Sequence, residues 1–312
     1  MERLVTLVLN DVEGAAVCPR IRMAVGANQF VGNVVRHPTL EQDQIVSCRA
    51  YGMSIGIRAC PDVLHYLPTL VPGVKMEHST VEPNIVFEFS RTTSAHGEPH
   101  FTVTENGTPF FSSADIHLAV LALESQAHQQ LATLTEKAVF VHAGVVAWRG
   151  RALVIPGPSN SGKSTLVAAL VAAGAAYYSD EYAVVGLDGR IYSFARPLRL
   201  RPDMLDKESF TSAAGAMSHH DSPGPLPLGW VLTVPYNAPT MRYPRLLTRG
   251  QTLLTLLANT VAVRRQSELT VKTLKLAVNS AIGLYFERGD ADKAAQAIIR
   301  FVDRTLLDST NN

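Results

Sequence analysis

The chain has 312 residues, of which 46% are hydrophobic and 18% are charged, with a formal net charge of +1. This length predicts about two domains with a sizeable core, and the near-neutral charge argues against a nucleic-acid-binding protein, which carries a basic patch. The three cysteines show neither disulfide nor metal-binding spacing. No uncharged apolar run is long enough for a membrane span. We therefore expect a cytoplasmic protein that binds neither nucleic acid nor membrane.

Residues 1 to 137 are predicted to form a small β-rich module closed by one helix. Alternation of apolar and polar residues predicts strands in three segments, which are Cys48–Arg58, Asn84–Ser90 and Phe101–Thr104. The Asn106-Gly107 dipeptide is typical of a hairpin turn, and Ser112 or Ser113 is expected to cap the helix. The module carries no recognisable catalytic group, so we expect it to take part in substrate recognition.

Residues 138 to 312 are predicted to form an α/β domain on a central sheet, because apolar strand-like runs alternate with helical ones. Strands are expected at Ala152–Ile155, Ala175–Tyr178, Tyr182–Gly186 and Trp230–Val234. The Asp188-Gly189 dipeptide predicts a hairpin turn. Helices are expected directly after residue 163 and at Thr252–Ala262, Val271–Leu284 and Asp290–Leu306.

A glycine-rich segment in this domain fits the phosphate-binding P-loop, a glycine and four residues followed by Gly-Lys-Ser. Its residues are Gly157, Pro158, Ser159, Asn160, Ser161, Gly162, Lys163, Ser164 and Thr165. A buried strand precedes the segment and a helix-forming run follows it, which is the context that the motif requires. Backbone N–H groups are expected to surround the phosphates of ATP, the lysine to reach the β- and γ-phosphates, and the Ser164 hydroxyl to ligate Mg²⁺.

Three further residues are candidates for chemistry at the phosphate. Asp180 and Glu181 follow a predicted strand, and ligands of open α/β sheets lie at the carboxyl ends of strands. One carboxylate can accept a proton from an attacking hydroxyl while the other helps to hold Mg²⁺; the alternative is a solvated acidic pair. His142 lies in an apolar strand before the loop, where it is either an active-site group or a core histidine.

Together these residues resemble the kinase domain of the HPr serine kinase/phosphorylase family. The resemblance covers about residues 138 to 260 and is carried by Phe140–Val145, the P-loop and Tyr178–Glu181. It implies a P-loop kinase domain in which Asp180 takes the proton from a target serine. Lys163 and Ser164 match the phosphate and metal residues of the family, and His142 matches its active-site histidine. By analogy, the resemblance also implies a homo-oligomer.

The chain departs from the family pattern at several positions. Ala143 follows the histidine where the family has glycine, and Glu181 stands where it has a second aspartate. Asp206 and Glu208 are candidates for a further metal-binding glutamate. The family's Gly-Arg-Asn segment, linked to the reverse phosphorolysis, corresponds to Gly250–Thr252, which lacks the arginine. The usual N-terminal domain of the family is not evident.

The resulting hypothesis is an ATP- and Mg²⁺-dependent kinase that phosphorylates a hydroxyl, in particular a serine, of a small protein or peptide. A small-molecule kinase on the same fold is an alternative that the sequence does not separate from it. A regulatory protein that binds ATP without catalysis is another, although such a protein needs no proton acceptor. An NTP hydrolase is less favoured, because no water-positioning glutamine or arginine finger is evident.

Overall fold

The computed structural model shows a mixed α/β protein with two mostly antiparallel sheets. The residues that it describes are 44–59, 61–64, 71–72, 74–78, 82–93, 97–159, 161–195, 224–236 and 244–310. They fall into two compact units, which separate between Thr135 and Glu136. Asn160 of the P-loop and the candidate metal ligands Asp206 and Glu208 lie outside the described residues.

The first unit contains a six-stranded sheet with the order β3-β1-β2-β4-β5-β6. Its strands are β1 (Gln44–Ala50), β2 (Met53–Ala59), β3 (Glu77–His78), β4 (Ile85–Thr93), β5 (Pro99–Glu105) and β6 (Thr108–Ser113), and a short helix α1 (Pro61–Leu64) follows β2. The pair β2–β4 is parallel, whereas the other neighbours are antiparallel. The predicted hairpin at Asn106-Gly107 is confirmed, with φ of 47° and 80° as a type I′ turn requires.

Two predictions for this unit are wrong in detail. The segment predicted as one strand, Cys48–Arg58, is an antiparallel hairpin, because Tyr51 and Gly52 both adopt positive φ and reverse the chain. Helix α2 (Ile116–Leu134) begins after Asp115, whose carboxylate accepts a hydrogen bond from the His117 backbone N–H. Ser112 and Ser113, which were expected to cap this helix, instead end strand β6.

The second unit is built on an eight-stranded sheet with the order β11-β10-β7-β8-β12-β14-β13, and β9 pairs with β7. Its strands are β7 (Ala138–Trp148), β8 (Arg151–Pro156), β9 (Ala176–Ser179), β10 (Tyr182–Gly186), β11 (Arg190–Tyr192), β12 (Leu226–Thr233), β13 (Arg245–Leu247) and β14 (Ile282–Tyr285). Among the described strands, β12 forms parallel pairs with β8 and β14, and the other paired neighbours are antiparallel. The predicted Asp188-Gly189 turn is confirmed, because β10 and β11 are antiparallel and Gly189 has φ of 76°.

The described residues of this unit include four α-helices. They are α3 (Lys163–Ala172), α4 (Arg249–Ala258), α5 (Ser267–Ala277) and α6 (Ala291–Thr310). The helix predicted over Val271–Leu284 is wrong in its second half, since α5 ends at Ala277 and β14 follows. Leu284 is buried beside Leu232 of β12, and pairing with this strand decides the conformation of the segment.

Helix α3, which follows the P-loop, is fixed by packing on both sides. Leu166, Val167 and Leu170 are fully buried in one cluster with residues of the sheet and of helix α6. Strand β7 approaches this helix closely at Gly144, where an added Cβ would lie 2.5 Å from Cγ2 of Val167. The sheet and the first helix after the P-loop are therefore held in a close-packed core.

We predict that Gly144→Ala destabilises this unit by about 1–3 kcal/mol, because the added methyl group forces β7 away from the stiff, buried Val167. Urea unfolding followed by tryptophan fluorescence measures the effect, since the two tryptophans, Trp148 and Trp230, both lie in this unit. Gly250→Ala is the matched control: an added Cβ there has no neighbour closer than 4.0 Å. Equal stability of Gly144→Ala and the unmodified protein would show that this approach does not constrain the core.

Candidate functional site

The P-loop has the predicted strand–loop–helix arrangement. Strand β8 ends at Pro156 and helix α3 begins at Lys163. Gly162 is the N-cap residue of the helix, with φ of 80° and no side-chain cap. A helix N-terminus without a capping side chain presents backbone N–H groups and the positive end of its dipole to an anion. The Ser161 hydroxyl oxygen is buried and has no hydrogen-bond partner among the described residues.

The Lys163 side chain folds back onto the loop. Its ammonium donates a hydrogen bond of 2.7 Å to the Pro158 carbonyl oxygen, and the residue is only 7% exposed. Burial lowers the pKa of Lys163 from 10.5 to about 8, and the charges of Asp180 and Glu181 oppose this shift. The ammonium is thus partly desolvated and lies near two carboxylates, so its interaction with an anion is weakly screened by water.

Asp180 lies beside the first turn of helix α3. Its Oδ2 atom is 3.5 Å from the Ser164 hydroxyl, a long contact, and its Oδ1 atom accepts a 3.1 Å hydrogen bond from the Tyr177 hydroxyl. The residue is 7% exposed. The structure therefore brings together the hydroxyl predicted to bind metal and the carboxylate predicted to accept a proton. Glu181 comes next in the chain, and its backbone carbonyl accepts from the Ala143 N–H at 3.0 Å.

Asp180 follows the carboxyl end of β9, although β9 is not a neighbour of the P-loop strand. Strands β8 and β9 both run antiparallel to β7, so they point the same way and their carboxyl ends share one edge of the sheet, with β7 between them. Asp180 and Glu181 occupy the break between β9 and β10, opposite Ala143 and Gly144 of β7. The Asp180 carboxylate faces the first turn of helix α3, where Ser164 lies.

His142 connects strand β7 to the start of the P-loop. Its Nδ1 atom is 3.0 Å from the Gly157 carbonyl oxygen, and its own carbonyl accepts from the Gly157 N–H at 3.3 Å. Because a carbonyl oxygen only accepts, this contact assigns the proton to Nδ1. In the neutral ring, Nε2 is then an acceptor, and it faces the Ser159 hydroxyl at 3.5 Å. The histidine therefore fixes the first residue of the loop and presents a basic nitrogen beside it.

Arg288 also contacts the P-loop, a contact that no pattern in the sequence predicts. It follows strand β14, and its Nη2 atom donates a 2.8 Å hydrogen bond to the Gly162 carbonyl oxygen. Burial lowers its pKa, and the residue is 3% exposed. Gly289-Asp290 after an apolar segment is compatible with the end of a strand, where ligand-binding residues are expected. The helix predicted over Val271–Leu284 leaves no strand end at this place, so Arg288 does not stand out in the sequence.

Comparison with known proteins adds no family to this description: the sequence matches no protein-family model and no curated protein. Among the described residues, no group of three or more histidine, cysteine, aspartate or glutamate side chains converges as a metal-binding cluster. Magnesium in phosphate-transfer sites commonly takes only one or two protein ligands, with phosphate and water supplying the others. Within the described part of the chain, no helix has the length and apolarity to cross a membrane.

Proposed function

We propose that the chain is an ATP-dependent kinase that transfers a phosphoryl group to a hydroxyl, in particular a serine hydroxyl of a small protein or peptide. Its second unit is proposed to be a P-loop kinase domain of the HPr-kinase type. The observation that carries the proposal is the convergence of Lys163, Ser164 and Asp180 at one helix N-terminus. A phosphate-binding loop serves many proteins, but a buried carboxylate beside its serine supplies the acceptor that transfer to a hydroxyl needs.

The donor atoms fit MgATP. Backbone N–H groups of the loop and the Lys163 ammonium would hold the phosphates, and Ser164 with Glu181 would hold Mg²⁺. When bound, the metal would neutralise charge on the phosphate oxygens. The Ser161 hydroxyl supports this fit: it is buried and has no partner among the described residues, which is costly unless a ligand supplies one.

In the proposed reaction, the acceptor hydroxyl oxygen forms a bond to the γ-phosphorus while the bond from this phosphorus to the bridging oxygen of ADP breaks. The hydroxyl proton passes to the Asp180 carboxylate, whose orientation is fixed by the Tyr177 hydroxyl. Lys163 stabilises the negative charge on the β- and γ-phosphate oxygens. His142 acts as a positioning residue, because its ring nitrogens contact the Gly157 carbonyl and the Ser159 hydroxyl of the loop.

We assign substrate recognition to the β-rich first unit, because the groups proposed to act on ATP all lie in the second unit. A small-molecule kinase would use the same groups and differ only in the acceptor that it selects. An ATP-binding regulatory protein is the second candidate function. It is favoured by the loop alone, whereas the contact between Asp180 and Ser164 favours an enzyme.

Incubation of the 312-residue chain with γ-labelled ATP and Mg²⁺ in a lysate of its host tests the proposal. We expect label to appear on a protein or peptide and to depend on the added kinase. Label confined to small molecules would select the small-molecule kinase. Saturable MgATP binding without transfer would select the regulatory protein, and a failure to bind MgATP would remove the proposal altogether.

A further inference from the structure

The Arg288 guanidinium is buried, and the described residues give it no ion-pair partner. Its Nη1 atom donates to the Gly289 carbonyl at 3.2 Å and its Nη2 atom to the Gly162 carbonyl at 2.8 Å, while Nε has no hydrogen-bond partner. Across the described residues, no carboxylate lies within 4.0 Å of this guanidinium. The charge of Asp290 acts on this guanidinium without forming an ion pair with it. Burial of a charge without a direct ion-pair partner is costly, so a bound anion would stabilise the guanidinium here.

Tyr236 lies next to Arg288 and is exposed to solvent. Its ring centroid lies 5.5 Å from Cζ of Arg288, and the two residues form an isolated parallel bridge. The tyrosine is 63% exposed, although it belongs to the short segment that directly follows buried strand β12. An exposed aromatic ring next to a guanidinium offers a flat stacking surface for a second planar group.

The order of the strands gives the site a direction. The P-loop, Tyr236 and Arg288 follow the carboxyl ends of β8, β12 and β14, which are parallel neighbours. Asp180 approaches from the opposite side of β8, where β7, β9 and β10 lie. A nucleotide whose terminal phosphate faces Lys163 and Asp180 would therefore direct its nucleoside end towards Tyr236.

We propose that Arg288 and Tyr236 form the nucleoside-side half of the nucleotide site. Arg288 contacts the inner phosphates of the nucleotide, because a guanidinium is well suited to bind phosphate oxygens. Tyr236 stacks on the base, an interaction that depends on a flat aromatic face and tolerates any base. This inference rests on the proposed function, since it takes a nucleotide as the ligand of the P-loop.

The Tyr236 half is tested by comparing Mg²⁺ complexes of ATP and inorganic tripolyphosphate in calorimetric titrations. Tyr236→Ala should raise the Kd for ATP by about tenfold or more through loss of stacking. The Kd for tripolyphosphate should not change, because this ligand has no base. Tyr236→Phe should bind both ligands as the unmodified protein does. Equal ATP affinity in Tyr236→Ala and the unmodified protein would overturn the stacking assignment.

The Arg288 half predicts a different pattern. Arg288→Gln should raise the Kd for ATP and for tripolyphosphate alike, by about tenfold or more, because a charged contact to the phosphates is lost. Arg245→Gln is the matched control. The Arg245 guanidinium lies 4.8 Å from the Tyr285 ring centroid in the same unit, so this variant removes an arginine–tyrosine pair away from the proposed site. Unchanged affinity for both ligands in Arg288→Gln would overturn the phosphate assignment.

The thermal unfolding midpoint of each variant shows whether a weaker affinity comes from loss of the contact or from unfolding of the protein. If Arg288→Gln is unfolded at the titration temperature, Arg288→Lys takes its place, with a smaller increase in both Kd values expected because the charge remains while the planar donor geometry is lost. If the unmodified protein binds neither ligand, the proposed function fails. If the unmodified protein binds MgATP and no Tyr236 or Arg288 variant changes the affinity, only this further inference fails.

Discussion

Lys163→Ala is expected to abolish phosphoryl transfer and to weaken MgATP binding by about ten- to a hundredfold. A charge-assisted hydrogen bond contributes about 1.5–3 kcal/mol, which corresponds to this range of affinity. The expected loss of transfer is larger, because negative charge on the transferred group must be stabilised in the transition state. In this chain Lys163 as a whole is 7% exposed, so little water screens the interaction.

Calorimetric titration with MgATP and a label-transfer assay on the same preparation measure both effects. Lys272→Ala is the control, because Lys272 is an exposed lysine on helix α5 of the same unit. The Lys163 variant should remain folded, since it removes a charge whose burial is unfavourable, as the lowered pKa shows. If it binds and transfers like the unmodified protein, the assignment of this segment as a nucleotide-binding loop is wrong.

Asp180→Asn is expected to reduce transfer by about 10²–10⁴-fold, the range for removal of a positioned acid or base, while MgATP binding stays nearly intact. The carboxamide keeps the shape of the side chain and can still accept the hydrogen bond from Tyr177 through its oxygen. It is not basic enough to take a proton from the acceptor hydroxyl. The variant therefore removes the proton acceptor while it keeps the packing of the side chain.

The contact between Asp180 and Ser164 allows a second role, because a carboxylate beside the P-loop serine can share its metal. If Asp180 is mainly a metal ligand, Mg²⁺ affinity should fall together with the rate, and higher Mg²⁺ concentrations should partly restore transfer. Glu181→Gln is the comparison for Asp180→Asn, because it makes the same acid-to-amide change at the neighbouring residue. Full transfer activity in Asp180→Asn would remove the proposed mechanism and make Glu181 the next candidate for the base.

The sequence alone determined the parts of this protein that depend on neighbours in the chain. The loop from Gly157 to Thr165 was predictable because its glycines, preceding strand and following helix are contiguous, and Gly162 does adopt positive φ. The hairpin turns at Asn106-Gly107 and Asp188-Gly189 were predictable for the same reason. In each case the conformational preference of one or two residues selects the structure.

The tertiary structure decided which strands are neighbours, and with them the surroundings of the loop. Asp180 lies in the break between β9 and β10, two strands that pair with β7 and not with β8, and from there it reaches Ser164. No local sequence pattern specifies this placement. Residues 282–285 become a strand because β12 offers backbone hydrogen bonds and a buried surface, and that strand carries Arg288 to Gly162. Strand pairing over long sequence separations depends on packing and burial that propensity does not encode, so these contacts became visible only in the folded chain.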